Sequence, residues 1–288
     1  MAINKKAQMQ MRYEGFLDTP MLFDSLFNGL SPLLLPFKTK NNLFKNFDVK
    51  ESRLGKLIEY FVINELNGVK NISVLKTNIQ INNNKITIGE IDTLIKQVTQ
   101  LIHLEIVFKF YLYENNSNSK EIDNWIGPNR NDSLSEKIEK LKSKQLPLLF
   151  NKITYLHLKE LGFDINQIIQ KIYFKAHLFV PFELVKHSFK YVNNSCIEGY
   201  YISYKELNKL SPGMKFYIPK KLDWIVKPHN SVKWLSHSQM QKELYLHQKK
   251  RLLPYVGLKK ENIYIKYLLF FGSELFKLTK KNKAVLQT

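Results

Sequence analysis

Cysteine is nearly absent: Cys196 is the single one in 288 residues, which excludes an intramolecular disulfide and a Cys-type zinc site. Arginine is scarce as well, with Arg12, Arg53, Arg130 and Arg251 the only ones among 44 basic residues. No apolar run approaches the roughly 18 residues of a membrane span; the nearest, Tyr267 to Phe271 (YLLFF), is far too short. The opening MAINKKAQMQMRYEGF has no apolar core of the kind a secretion signal carries, so a reducing, cytoplasmic setting without a membrane partner is expected. The chain contains no GxxxxGK(S/T) or GxGxxG loop, no GxSxG elbow and no HExxH pair. A nucleotide-driven motor, a dinucleotide enzyme, an elbow-type serine hydrolase and a helical zinc peptidase are therefore disfavoured.

What is present is positive charge in a packed chain. Hydrophobic residues make up 44% and aromatics 13%, against 44 Lys and Arg and 25 Asp and Glu, for a net charge of +19. That balance points to an anionic partner, nucleic acid first. From Lys215 onward there are 16 basic and 4 acidic residues, a net of +12, which leaves +7 for residues 1–214. In this stretch Lys249, Lys250 and Arg251 form a basic cluster, interleaved along the chain with Tyr217, Trp224, Trp234, Tyr245 and Tyr255. The mix suits backbone contacts plus stacking on unpaired bases, and equally a lysine-covered surface over an aromatic core.

Periodicity places the elements. Leu54, Leu57, Ile58, Phe61 and Val62 recur at helical spacing in Arg53 to Leu66, with Glu59 at the border of the stripe and Glu65 near its centre; a frayed helix end would leave Glu65 solvated. Alternating runs over Ser73 to Ile81, Lys85 to Ile95 and Leu101 to Tyr113 predict an antiparallel meander. Ser133 followed by Glu136 reads as a capping box opening a helix to about Leu146, and a second helix is expected from Leu149 to Leu161. Strands are expected at Lys171 to Pro181, Gly199 to Ser203 and Lys215 to Val226, and a basic helix from Ser236 to Arg251.

The chemistry concentrates in GEIDTLI (Gly89 to Ile95) and HLEIVFKF (His103 to Phe110). Alternation along a strand puts Glu90 and Asp92 on one face, and His103, Glu105, Val107, Lys109 and Tyr111 together on another. Asp92 and Glu105 on neighbouring strands offer oxygen ligands to a hard cation such as Mg²⁺, and Lys109 an amine beside them. That set suits phosphodiester hydrolysis; a buried acid and lysine pair within the sheet is the competing interpretation. In GPNRND, Arg130 precedes a helix N-terminus that would favour a phosphate, or else it pairs with a nearby acid.

The runs RLGKLIEYF, GEID, HLEIVFKFYL and WIGPNRNDSLSEKI followed by KQL resemble the domain of unknown function 1853 family, placed in the PD-(D/E)XK nuclease superfamily. The resemblance implies an α/β, restriction-endonuclease-like core, a mixed β-sheet flanked by helices, with Mg²⁺ or Mn²⁺ held by acids. It carries over Asp92 as the motif aspartate, Glu105 as the second metal-binding acid, Lys109 as the motif lysine, Glu59 as the helix acid and Gln145 as the glutamine of the following helix. Glu105 and Lys109 stand four residues apart, where the superfamily motif sets acid and lysine two apart; in a strand this is about 13 Å between α-carbons.

The expectation is an N-terminal extension (1–49), a nuclease-like core (50–185) and a basic C-terminal α+β region packed on it (186–288). The expected activity is metal-dependent cleavage of DNA or RNA. Asp92, Glu105, Lys109 and Glu59 would be catalytic, and Arg130, Gln145, Lys249, Lys250 and Arg251 would contact the nucleic acid. A catalytically inactive nuclease-fold protein that binds nucleic acid, or a protein-interaction scaffold, stays open beside it.

Overall fold

The computed structural model describes residues 4–35, 43–47, 49, 53–184, 186–203, 206, 210, 213–249, 254–260 and, for the backbone, 263–270. It is α/β, built on a mixed sheet with helices on both faces. The meander forms as the alternation predicts, with β1 (Ile72–Asn83), β2 (Ile86–Gln97) and β3 (Gln100–Tyr113) antiparallel to one another. A two-residue strand, β4 (Trp125–Ile126), pairs with the end of β3. β5 (Ile168–Pro181) returns parallel to β3, and β6 (Ile197–Ser203) lies parallel to β5. The sheet then continues through β9 (Ile263–Phe270) and β8 (Tyr255–Lys260) to β7 (Lys215–Tyr217). The order is β1-β2-β3-β5-β6-β9-β8-β7, so one sheet runs through the core and the C-terminal region alike.

The two faces of β3 bury against different helices, as a period of two requires. Ile102, Leu104, Ile106, Phe108 and Phe110 pack with α1 (Lys5–Asp18) and α2 (Leu54–Leu66). Val107, Tyr111 and Tyr113 pack with Trp125, with Leu134 and Ile138 of α3 (Leu134–Lys140) and with Leu141 just beyond it. α4 (Lys152–Glu160) covers β1 and β2 through Leu158, and α5 (His237–Lys249) covers β7 and β8 through Met240 and Leu244. No described helix is long and apolar enough to cross a membrane.

Three local expectations change. The helix opened by Ser133, whose Oγ accepts from the Glu136 N–H at 3.2 Å, stays α-helical only to Lys140 and then widens into a π-helical turn over Leu141–Gln145. The strand expected from Lys215 to Val226 stops at Tyr217, ahead of Pro219 and a short 3₁₀ turn at Lys221–Asp223. Glu65 is held rather than solvated: its carboxylate accepts from the Tyr173 hydroxyl at 2.5 Å.

α1 docks with no room to spare. A β-carbon on Gly15 would lie 1.9 Å from the Ile225 carbonyl oxygen, so the helix backbone touches the 225–226 segment directly. Gly→Ala in a helix ordinarily stabilises by up to about 1 kcal/mol. Gly15→Ala is expected to reverse the sign, lowering stability by about 1–3 kcal/mol in urea or thermal unfolding, because the helix must back away from its partner.

Candidate metal and phosphate site

β2 and β3 pair from Gln97↔Gln100 up to Thr93↔Leu104, and there the ladder stops. The next position would set Asp92 opposite Glu105. Instead the Asp92 side chain takes over the bonding, its Oδ2 accepting from the Ile106 N–H at 2.9 Å. From this point β2 remains paired with β1, and β3 with β5. Where the strands part, Asp92 is thus close enough for the Glu105 charge to act on its carboxyl, while Glu105 faces the segment that follows α3.

Glu105 is fully buried, and each oxygen accepts one hydrogen bond: Oε1 from His103 Nε2 at 3.0 Å, Oε2 from Gln145 Nε2 at 2.6 Å. Gln145 is itself oriented by Lys137, whose Nζ donates to its Oε1 at 2.6 Å. The π-helical turn delivers Gln145 there. His103 is buried and Gln145 partly exposed, so the solvent side of Glu105 is the Gln145 side. Asp92 is partly exposed. Its carboxyl is pushed up to about 7, first by burial and then by the Glu105 charge, while the Ile106 N–H pulls it down and Glu59 and Glu90 add to the rise.

The amine beside the acids is Lys137, which sequence reasoning passed over. Burial lowers it to about 8; the charges of Glu105 and Asp92 hold it up, and those of Lys109 and Lys140 push it down. A signal existed: Lys137 falls within the inward stripe of Leu134, Ile138 and Leu141, where an unsupported charge would be costly.

Lys109 lies on the Glu105 face and is bonded to Asp132 at 2.6 Å. Glu59 comes from α2, on the opposite face of β3, and Lys56 Nζ ties it to Glu90, at 2.9 and 3.2 Å. Arg130 pairs with Glu114 and adopts a left-handed φ of 55°. The turn that carries it is closed by bonds from the Gly127 N–H to the Asp132 carbonyl and from the Arg130 N–H to the Gly127 carbonyl, both 2.8 Å. A β-carbon on Gly127 would meet Asp132 Oδ1 at 2.0 Å, so GPNRND is a tight turn that presents Asp132 to Lys109. Lys249 ends α5, and Lys250 and Arg251 lie outside the described residues.

The family model for Domain of unknown function (DUF1853) matches residues 37–262. The chain belongs to that family. No curated protein and no solved structure matches this DUF1853 chain.

Among the described residues no group of three or more His, Cys, Asp and Glu side chains is arranged to hold a metal ion. Asp92 and Glu105 alone would suit Mg²⁺ or Mn²⁺ completed by water and phosphate oxygens rather than an all-protein cage.

The raised Asp92 carboxyl carries a pH signature. A carboxyl whose folded value rises from 3.8 to about 7 stabilises the fold below its ordinary value, and that contribution is lost as pH climbs through about 7. In chelator, Asp92→Asn is expected to gain thermal stability relative to wild type at about pH 8 and little at about pH 4, since the amide cannot ionise. A difference independent of pH would show that Asp92 is not the group responsible.

Proposed function

We propose that this protein is a metal-dependent nuclease that hydrolyses phosphodiester bonds of nucleic acid, with residues 50–185 as a restriction-endonuclease-like core. The observation that carries the reading is the parting of β2 and β3 at Asp92 and Glu105, with Lys137 and Gln145 joined in a hydrogen-bonded chain that ends on Glu105. The mixed sheet with helices on both faces agrees with the core that the superfamily resemblance implies, and the net charge of +19 suits a polyanionic substrate.

In this reading Asp92 and Glu105 hold Mg²⁺ or Mn²⁺. Such an ion supplies Lewis acidity toward phosphate and a more acidic bound water. Lys137 takes the charge-neutralising role first given to Lys109: its Nζ lies one amide away from Glu105 and meets the negative charge that develops on phosphate. Gln145 orients Glu105 on the solvent side. Lys109 and Asp132 form a flanking pair, Glu59 supports the site through Lys56 and Glu90, and Arg130, together with Lys249, Lys250 and Arg251, contacts the backbone of DNA or RNA.

The complete burial of Glu105 favours a second reading, a nuclease fold that binds nucleic acid without cutting. The two are separated by assays on single-stranded, duplex and branched DNA and RNA with Mg²⁺ or Mn²⁺. Cleavage by wild type is expected, lost in Asp92→Ala and Glu105→Ala and reduced about a hundredfold in Lys137→Met. Lys109→Ala should stay within about tenfold of wild type. Equal activity in all five proteins overturns the site; salt-sensitive binding that survives Asp92→Ala, with no cleavage, supports the second reading.

A further inference from the structure

Behind Glu105 the polar chain continues into the sheet. His103 and Gln170 are register partners across the parallel β3 and β5 pair. Gln170 Nε2 lies 3.0 Å from His103 Nδ1 and also donates to the Leu146 carbonyl oxygen at 2.7 Å. That second bond fixes which end of the amide is nitrogen, since a carbonyl can only accept. Nδ1 of His103 therefore receives a hydrogen, and the ring's own proton sits on Nε2, the atom facing Glu105 Oε1 at 3.0 Å. From the other side Lys137 fixes the Gln145 amide in the same way, so its nitrogen donates to Oε2. Every hydrogen in the chain is directed toward Glu105, and neither neighbour as oriented can accept one back.

A histidine and a carboxylate with no solvent exposure need such complete satisfaction, and an apolar pair would pack between β3 and β5 without it. We infer that His103, locked in its Nε2–H form by Gln170, is the positioning residue that aims the Glu105 carboxylate at a divalent cation. This inference rests on the nuclease reading for the cation and on the hydrogen-bond geometry for the residue.

The test combines histidine ¹⁵N NMR with Mn²⁺ binding followed by electron paramagnetic resonance, both on the full chain. Wild type is expected to show His103 as the Nε2–H tautomer, and Gln170→Leu to lose that fixed state. Mn²⁺ affinity should fall about 10–100-fold in His103→Leu and about tenfold in Gln170→Leu. It should largely return in His103→Gln, whose amide nitrogen can donate to Glu105. Thermal melts identify any variant that fails to fold, and His103→Gln and Gln170→Leu keep the comparison if His103→Leu does. An Nδ1–H tautomer in wild type, or Mn²⁺ binding abolished by Glu105→Gln yet unchanged in the folded His103 and Gln170 variants, overturns the inference and leaves the nuclease reading standing. No Mn²⁺ uptake by wild type overturns both.

Discussion

A single carboxylate oxygen takes over the work of a ladder partner at the point where β2 leaves β3. Backbone N–H groups in a buried sheet must be satisfied, and the Ile106 N–H loses its strand neighbour where the pairing stops. Asp92 meets that need with its side chain, which lets the strands separate without leaving an orphan donor. The separation in turn sets Asp92 near Glu105, and Lys137 and Gln145 complete the polar cluster from the covering helix. The carboxylate is thus both a structural bond and a candidate ligand, and replacing it disturbs the two roles together.

Much of the sheet was legible because alternation is a strong signal. The three meander strands, the return strand ending at Pro181 and the helix before the meander all lie close to their expected bounds. The partition of β3 into a Leu104 face and a Glu105 face followed from a period of two alone. The helix α1 and the β8–β9 hairpin were not anticipated. α1 has little amphipathic contrast, since its buried residues, Met9, Tyr13, Gly15 and Phe16, share the helix with many polar ones. The hairpin is formed by runs rich in Lys and Tyr as well as in aliphatics.

The nearness of the two acids was legible in the sequence, and the lysine bonded into their cluster was not. Asp92 and Glu105 stand in strands whose pairing sequence can suggest, so their adjacency was open to inference. Lys137 belongs to a helix whose angle to the sheet depends on packing among Trp125, Leu134, Ile138 and Leu141, which no local pattern encodes. Lys109 was the natural choice by strand alternation, and it does lie on the correct face. It was Asp132, delivered by the Gly127 turn, that engaged it.

The π-helical turn at Leu141–Gln145 sets the azimuth of the side chain that caps Glu105. Such a turn carries one residue more than an α-helical turn would, and each residue of a helix advances the direction of its side chain by about 100°. Loss of a single amino acid between Leu141 and Lys144 would let the segment relax to an ordinary α-helix, and the amide would swing to another quarter of the helix. The aperture over the acid therefore depends on residue count as much as on residue identity, making this short stretch intolerant of length changes even where its individual side chains are exchangeable.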